Sequence, residues 1–157
     1  MELARLSTYE RSNPGGEIYR THFYSDPILV GSVVEAVIEA TKSFLSSADD
    51  AQNLEIALAE IINNIAEHAY GEATDGPIEL TVLADDTCLV FILVDQGLAM
   101  PGMSIPAAQV HDLDVPLLEL PEGGFGWFLF RTLAGNLDYR RIDGQNHLTF
   151  SMPRLIH

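Results

Sequence analysis

Residues 88–94, Cys-Leu-Val-Phe-Ile-Leu-Val, contain no polar side chain. Successive side chains of a strand point to opposite faces, so an extended segment with this composition must be covered on both. The run is too short for a helix that could bury itself, and no apolar stretch in the chain approaches the ~18 residues needed to cross a bilayer. It reads as an interior strand ending at Asp95. The preceding Pro-Ile-Glu-Leu-Thr-Val-Leu-Ala, 77–84, alternates in polarity and is joined to it through Asp85 and Asp86. A sheet is therefore obligatory, and the other segments must supply its cover.

Two helices fit that role. Asp26 followed by Pro27 is an N-cap and first-turn pair, and Val30, Val34, Val37, Phe44 and Leu45 continue an apolar stripe to about residue 46. Asp49 with Gln52 resembles a capping box, and Gly71 is a suitable stop, which sets a second helix over 50–70. Upstream, residues 2–7 suggest a short strand, 12–17 a turn and 18–24 an extended segment. Gln96 to Glu122 is rich in glycine and proline without periodicity, and a loop of that length in a compact domain is usually functional. Residues 124–135 read as a glycine-opened helix. Residues 137–142, the turn Asp143-Gly144 and residues 146–152 read as a hairpin. The expectation is an α+β fold, a two-layer sandwich with a mixed, mostly antiparallel sheet and helices on one face. It comprises one domain over 1–157, with an N-terminal extension at 1–15 and a lid at 96–122.

Charge narrows the function. The formal net charge is −15, with Lys42 the only lysine, so nucleic acid and anionic lipid are disfavoured as partners. Cys88 is the only cysteine, and the five histidines are scattered without metal-ligand spacing, which disfavours a structural zinc. The N-terminus lacks an apolar signal core, so a cytoplasmic location is expected.

The second helix carries the chemistry. With Glu60 at zero on a helical wheel, Asn64 lies at about 40°, Glu67 at about −20° and His68 at about 80°, while Leu58, Ile61, Ile62, Ile65 and Ala69 lie between about 100° and 200°. Alone, this is an ordinary solvated face. Two later signals change its weight. Asp95 at a strand end could accept a hydrogen bond from the exocyclic amine of a purine, with Gly97 admitting the ring. Gly123, Gly124 and Gly126 at a helix start would offer N–H groups to phosphate.

In this order and spacing, the three signals resemble the Bergerat-type ATP-binding fold of histidine kinases, type II topoisomerases, Hsp90 and MutL. Within it, the chain is most similar to the anti-sigma-factor serine/threonine kinases of bacterial partner switching. Leu-Ala-Glu-Ile-Ile-Asn-Asn-Ile-Ala-Glu-His-Ala-Tyr looks like the N box, Asp-Gln-Gly-Leu-Ala like the first glycine box, and Leu-Pro-Glu-Gly-Gly-Phe-Gly like the start of the second. The likeness covers about residues 25–153.

That resemblance implies ATP and Mg²⁺ as cofactors. It gives Asn64 the role of magnesium ligand and Glu60 that of proton acceptor for the attacking hydroxyl. It places Asp95 on the adenine amino group, helped by Gly97 and, through water, by Thr149. Gly124 and Gly126 would hinge the lid and donate to the phosphates. The implied partners are a STAS-domain anti-anti-sigma protein and a sigma factor or other regulatory client, and a homodimer is common in the family. Three departures stand out. Ala99 replaces the box's second glycine, Glu67 stands where many relatives are basic, and the 100–124 lid segment has no lysine or arginine. A slow kinase, or one completed by a partner, is expected. The rival reading is an ATP-binding switching module that does not phosphorylate.

Overall fold

The computed structural model describes residues 16–100 and 135–153. The 2–7 strand, residues 124–134 of the expected helix and most of the lid lie outside them. The described chain runs β1 (Gly16–Tyr24), α1 (Pro27–Thr41), a 3₁₀ turn (Lys42–Phe44), α2 (Ala48–Tyr70), β2 (Pro77–Ala84), β3 (Cys88–Asp95), β4 (Gly135–Ile142) and β5 (Gln145–Pro153). The five strands form one sheet in the order β1-β2-β3-β5-β4, and all four pairings are antiparallel. The α+β architecture expected from the sequence is present, with the apolar strand β3 at the centre.

The core is the layer between the helices and one sheet face. Leu80, Val82, Leu89, Phe91, Leu93, Leu148 and Phe150 meet Val34, Val37, Leu54, Leu58, Ile61 and Ile62 in one buried cluster. Phe91 and Phe150 oppose each other across β3 and β5 and stack, with ring centroids 4.9 Å apart. Register then assigns faces. Leu89, Phe91, Leu93 and Asp95 on β3 pair with Met152, Phe150, Leu148 and Asn146 on β5, so Asp95 and Asn146 lie on the helix-facing side.

Local chemistry sets the element ends. Asp26 caps α1 by accepting from the Ile28 N–H at 3.0 Å. The helix ends at Thr41, earlier than the stripe predicts, where the Thr41 hydroxyl donates back to the Val37 carbonyl at 2.8 Å. A 3₁₀ turn follows, from which Phe44 and Leu45 still reach the core. For α2 the cap is Ser47, not Asp49. The Ser47 hydroxyl accepts from the Asp50 N–H at 3.1 Å, leaving Asp49 and Asp50 in the first turn, where the helix dipole favours negative charge. Gly71, with φ 62°, closes α2 as expected. Asp143 and Gly144 have φ 51° and 78°, which the two-residue β4–β5 turn demands. At the β2–β3 turn, Asp85 accepts from the Thr87 and Cys88 N–H groups at 2.7 and 2.8 Å. Slight burial raises the pKa of Asp85, but these bonds outweigh it and hold the carboxyl below its ordinary value. No helix among the described residues is long and apolar enough to cross a membrane.

Candidate functional site

The last three turns of α2 line two concave regions. Its polar flank forms one wall of a cleft of about 710 Å³, into which Glu60, Asn63, Asn64, Glu67 and His68 project, with Ser25 and residues 71–74 opposite. Glu60 and Asn64 stand one helical turn apart on that wall. Asn64 is 94% buried by its 6% exposure, and its amide nitrogen is shut from solvent with no hydrogen-bond partner. A stranded amide costs about 1–3 kcal/mol, so folding alone does not favour it. The opposite wall is held in place by Ser25, whose hydroxyl donates to the Ala73 carbonyl at 2.7 Å and accepts from the Gly76 N–H at 3.1 Å.

The adjoining flank of α2, at Ile65 and Ala69, lines a second cavity of about 20 Å³ together with Asp95, Leu98, Tyr139 and Asn146. Asp95 is buried, and both its described hydrogen bonds arrive at Oδ1, from the Gly97 N–H at 3.0 Å and the Asn146 amide at 2.7 Å. Burial pushes its carboxyl above the ordinary value, while those two bonds and the Arg141 charge pull the other way. The acid group at the strand end therefore lies where the sequence placed it.

Glu60 and Asn64 come together in the cleft, Asp95 lines the cavity with the Gly97 N–H bonded to it, and α2 contributes to both. Thr149 joins neither. It pairs with Ile92, so it lies on the sheet face away from Asp95, and the expected water-mediated role at the base fails on strand parity. Asn146 holds that position instead. The sequence carried a usable signal: Leu148, Phe150 and Met152 alternate as the helix-facing set of β5, which puts Asn146 on the same face. Gly124 and Gly126 lie outside the described residues.

Tyr70 and Arg141, given no site role from sequence, acquire structural ones. The Tyr70 hydroxyl donates to the Pro77 carbonyl and accepts from the Gln96 N–H, both at 2.7 Å, tying the end of α2 to β2 and to the exit of β3. Arg141 does not serve a free surface: its guanidinium donates to the Gly97 carbonyl at 2.6 Å and to Asn146 Oδ1 at 3.0 Å. Arg140, on the other face, pairs with Asp138 at 2.9 Å.

Gly97 is fixed by contact with α2. A Cβ there would overlap the carbonyl oxygen and Cβ of Ala69, and the next residue, Leu98, donates to that same carbonyl at 2.9 Å. Gly97→Ala should therefore lower stability by about 1–3 kcal/mol through backbone displacement. A urea melt of the variant superimposing on that of the parent would refute this packing role.

The donor chemistry fits a magnesium nucleotide. Among the described residues no three His, Cys, Asp or Glu side chains converge on one point. A neutral amide beside the Glu60 carboxylate suits a hard cation that brings most of its oxygen ligands with it. Comparison with known proteins gives the family. The profile of the histidine kinase-like ATPase domain matches residues 23–152. The serine-protein kinases RsbW of Bacillus cereus (strain G9842) and Bacillus mycoides (strain KBAB4) are 29% and 28% identical over 101 residues, 64% of this chain. That match spans 62% of each relative's length. A solved structure, the Mycobacterial sensor histidine kinase MprB, aligns over 86% of this chain and 97% of its own, at 11% identity and TM-score 0.46. On the match over residues 23–152, this chain belongs to the histidine kinase-like ATPase domain family.

Proposed function

We propose that this protein is an ATP-dependent serine/threonine kinase that also acts as an anti-sigma factor. It would phosphorylate a STAS-domain anti-anti-sigma antagonist and bind a sigma factor. The observation that carries this reading is the cleft in which Glu60 and the stranded amide of Asn64 share one wall. Similarity to relatives named serine-protein kinases supports the choice of reaction.

Asn64 would hold Mg²⁺ through its amide oxygen, and Asp95 would accept from the adenine amino group. Bound Mg²⁺ supplies neutralisation of the phosphate charge. Glu60 takes the proton of the substrate hydroxyl as that oxygen forms its bond to the γ-phosphorus. The bond from the γ-phosphorus to the bridging oxygen breaks, and ADP leaves with the electron pair. Gly124 and Gly126 would hinge the 96–122 lid and offer backbone donors to the phosphates. The reading carries with it one domain over 1–157, a 1–15 extension and a cytoplasmic setting.

Glu67 favours a second reading. It lines the cleft near Asn64, and no lysine or arginine of the described chain lines it. An ATP-binding switch that does not phosphorylate, or that regulates a non-sigma client, needs no charge-stabilised transition state. Incubation with Mg-ATP and the STAS protein encoded nearest in the genome separates the two. The kinase reading expects slow appearance of phosphoserine or phosphothreonine on the STAS protein. ATP binding by thermal shift without any transfer would leave the switch.

A further inference from the structure

The cavity beside Asp95 is the wrong size for the ligand that the proposed function requires. About 20 Å³ holds one water molecule, and a bicyclic purine is several times larger. Residues 97–100 run along it as a strap, with Leu98 and Met100 in its lining, and the fastenings of that strap are specific. Asn146 donates to the Leu98 carbonyl at 2.7 Å, Arg141 donates to the Gly97 carbonyl at 2.6 Å, and the Met100 N–H donates to the Tyr139 hydroxyl at 3.0 Å. Tyr139 in turn donates to Asn146 Oδ1 at 2.5 Å. The β4–β5 hairpin therefore holds the strap through three side chains centred on Asn146, which is itself buried. The Leu98 side chain is 74% exposed, an apolar group left in water at the mouth of the cavity.

The same Asn146 amide also donates to Asp95 Oδ1, where the Gly97 N–H already bonds. With Oδ1 taken, the second carboxylate oxygen is the one left to meet a base. The geometry points to Asn146 as a two-way positioning residue, which aims Asp95 at the nucleotide base and, with Tyr139 and Arg141, straps residues 97–100 across the cavity until a base displaces them. This rests on the nucleotide reading above and adds to it a gate and a residue that sets base selectivity.

Two consequences separate this role from a merely structural one. A strap that must open reduces apparent affinity by the fraction of molecules already open. Tyr139→Phe keeps the ring but removes the hydroxyl that accepts from Met100, so ATP affinity should rise about fivefold, the effect of one ordinary hydrogen bond. Base selectivity moves differently. ITP lacks the exocyclic amine, so its affinity should be indifferent to how Asp95 is aimed, and Asn146→Leu should shrink the ATP-over-ITP preference about tenfold.

The pH profile gives a third readout. The amine needs an ionised acceptor, so ATP affinity falls as pH drops through the raised value of Asp95. The groups facing that carboxylate are Arg141 and Tyr139 from β4 and Tyr70 from α2. Removing the Asn146 donor withdraws a bond that favours the ionised form, so Asn146→Leu should move the acid limb to higher pH.

The experiment is titration of ATP and ITP into the full chain with Mg²⁺ across pH, for the parent and both variants. Tighter ATP binding by Tyr139→Phe together with lost ATP-over-ITP preference in Asn146→Leu supports the assignment. Tyr139→Phe leaves Asn146 Oδ1 still bonded to Arg141 and remains decisive if Asn146→Leu does not fold. Unchanged or weaker ATP binding by Tyr139→Phe overturns the strap. Parent binding with an unshifted ATP-to-ITP ratio in folded Asn146→Leu overturns the aiming. A parent that binds neither nucleotide overturns this inference and the proposed function together.

Discussion

Replacing Asn64 by alanine should lower Mg-ATP affinity about 100-fold or more while leaving the protein as stable as before, or up to about 1 kcal/mol more stable. The binding half follows from the magnesium role proposed for the amide oxygen, and the stability half from the burial of the amide nitrogen. The Asn64 amide is buried with its nitrogen unpartnered, so the folded protein carries the desolvation penalty of that group without a compensating bond. Removing it relieves about 1–3 kcal/mol and loses the packing of a few atoms, terms of similar size and opposite sign. Most buried substitutions to alanine only destabilise, so an unchanged melting temperature is informative. Binding is checked by the ligand-induced thermal shift, which grows with the ratio of ligand to dissociation constant and should vanish in the variant. A variant that melts early but still binds Mg-ATP with parental affinity would show that Asn64 is a structural residue.

The sheet, and the face of α2 that matters, were legible because each rests on repetition. Seven apolar residues on β3 fix an interior strand, and the spacing of Leu58, Ile61, Ile62 and Ile65 fixes the buried face of the helix, which leaves Glu60 and Asn64 on the other. Single-residue competitions were harder. Ser47, Asp49 and Asp50 are all good capping residues, and only the geometry shows Ser47 accepting from the Asp50 N–H while Asp50 itself accepts from the Ser46 hydroxyl at 2.5 Å. Thr149 failed for a related reason: a motif match counts positions, whereas a strand reverses its side chain at every step. Alternation along β5 gives the face of Asn146 but not its partners, and Tyr139 and Arg141 had no individual signal, because their joint role depends on bringing β5 and β4 against a loop 39 to 48 residues earlier. Long-range hydrogen bonds of that kind have no period to read.

Glu60→Gln should slow phosphoryl transfer to the STAS protein by about 10²- to 10⁴-fold and leave ATP affinity equal or slightly higher. The substitution preserves shape and hydrogen-bonding reach but removes the basic oxygen that takes the hydroxyl proton. A nucleophile that keeps its proton must expel ADP while acquiring positive charge, which accounts for the size of the loss. Binding should move the other way because Glu60 shares its wall with Glu67, and the anionic Mg-ATP complex meets one fewer negative charge when the carboxylate is gone. Glu67→Gln provides the contrast. It removes the same charge from the same cleft without touching the proposed proton acceptor, so affinity should rise about as much while transfer is kept or quickened. Single-turnover transfer with saturating Mg-ATP, alongside equilibrium ATP binding, separates the two variants. Equal loss of transfer in both would assign the effect to cleft charge rather than to proton acceptance. Undiminished transfer by Glu60→Gln would remove Glu60 from the reaction. The divergence between two carboxylates two turns apart on one helix is what a base at Glu60 requires, because electrostatics alone treats them alike.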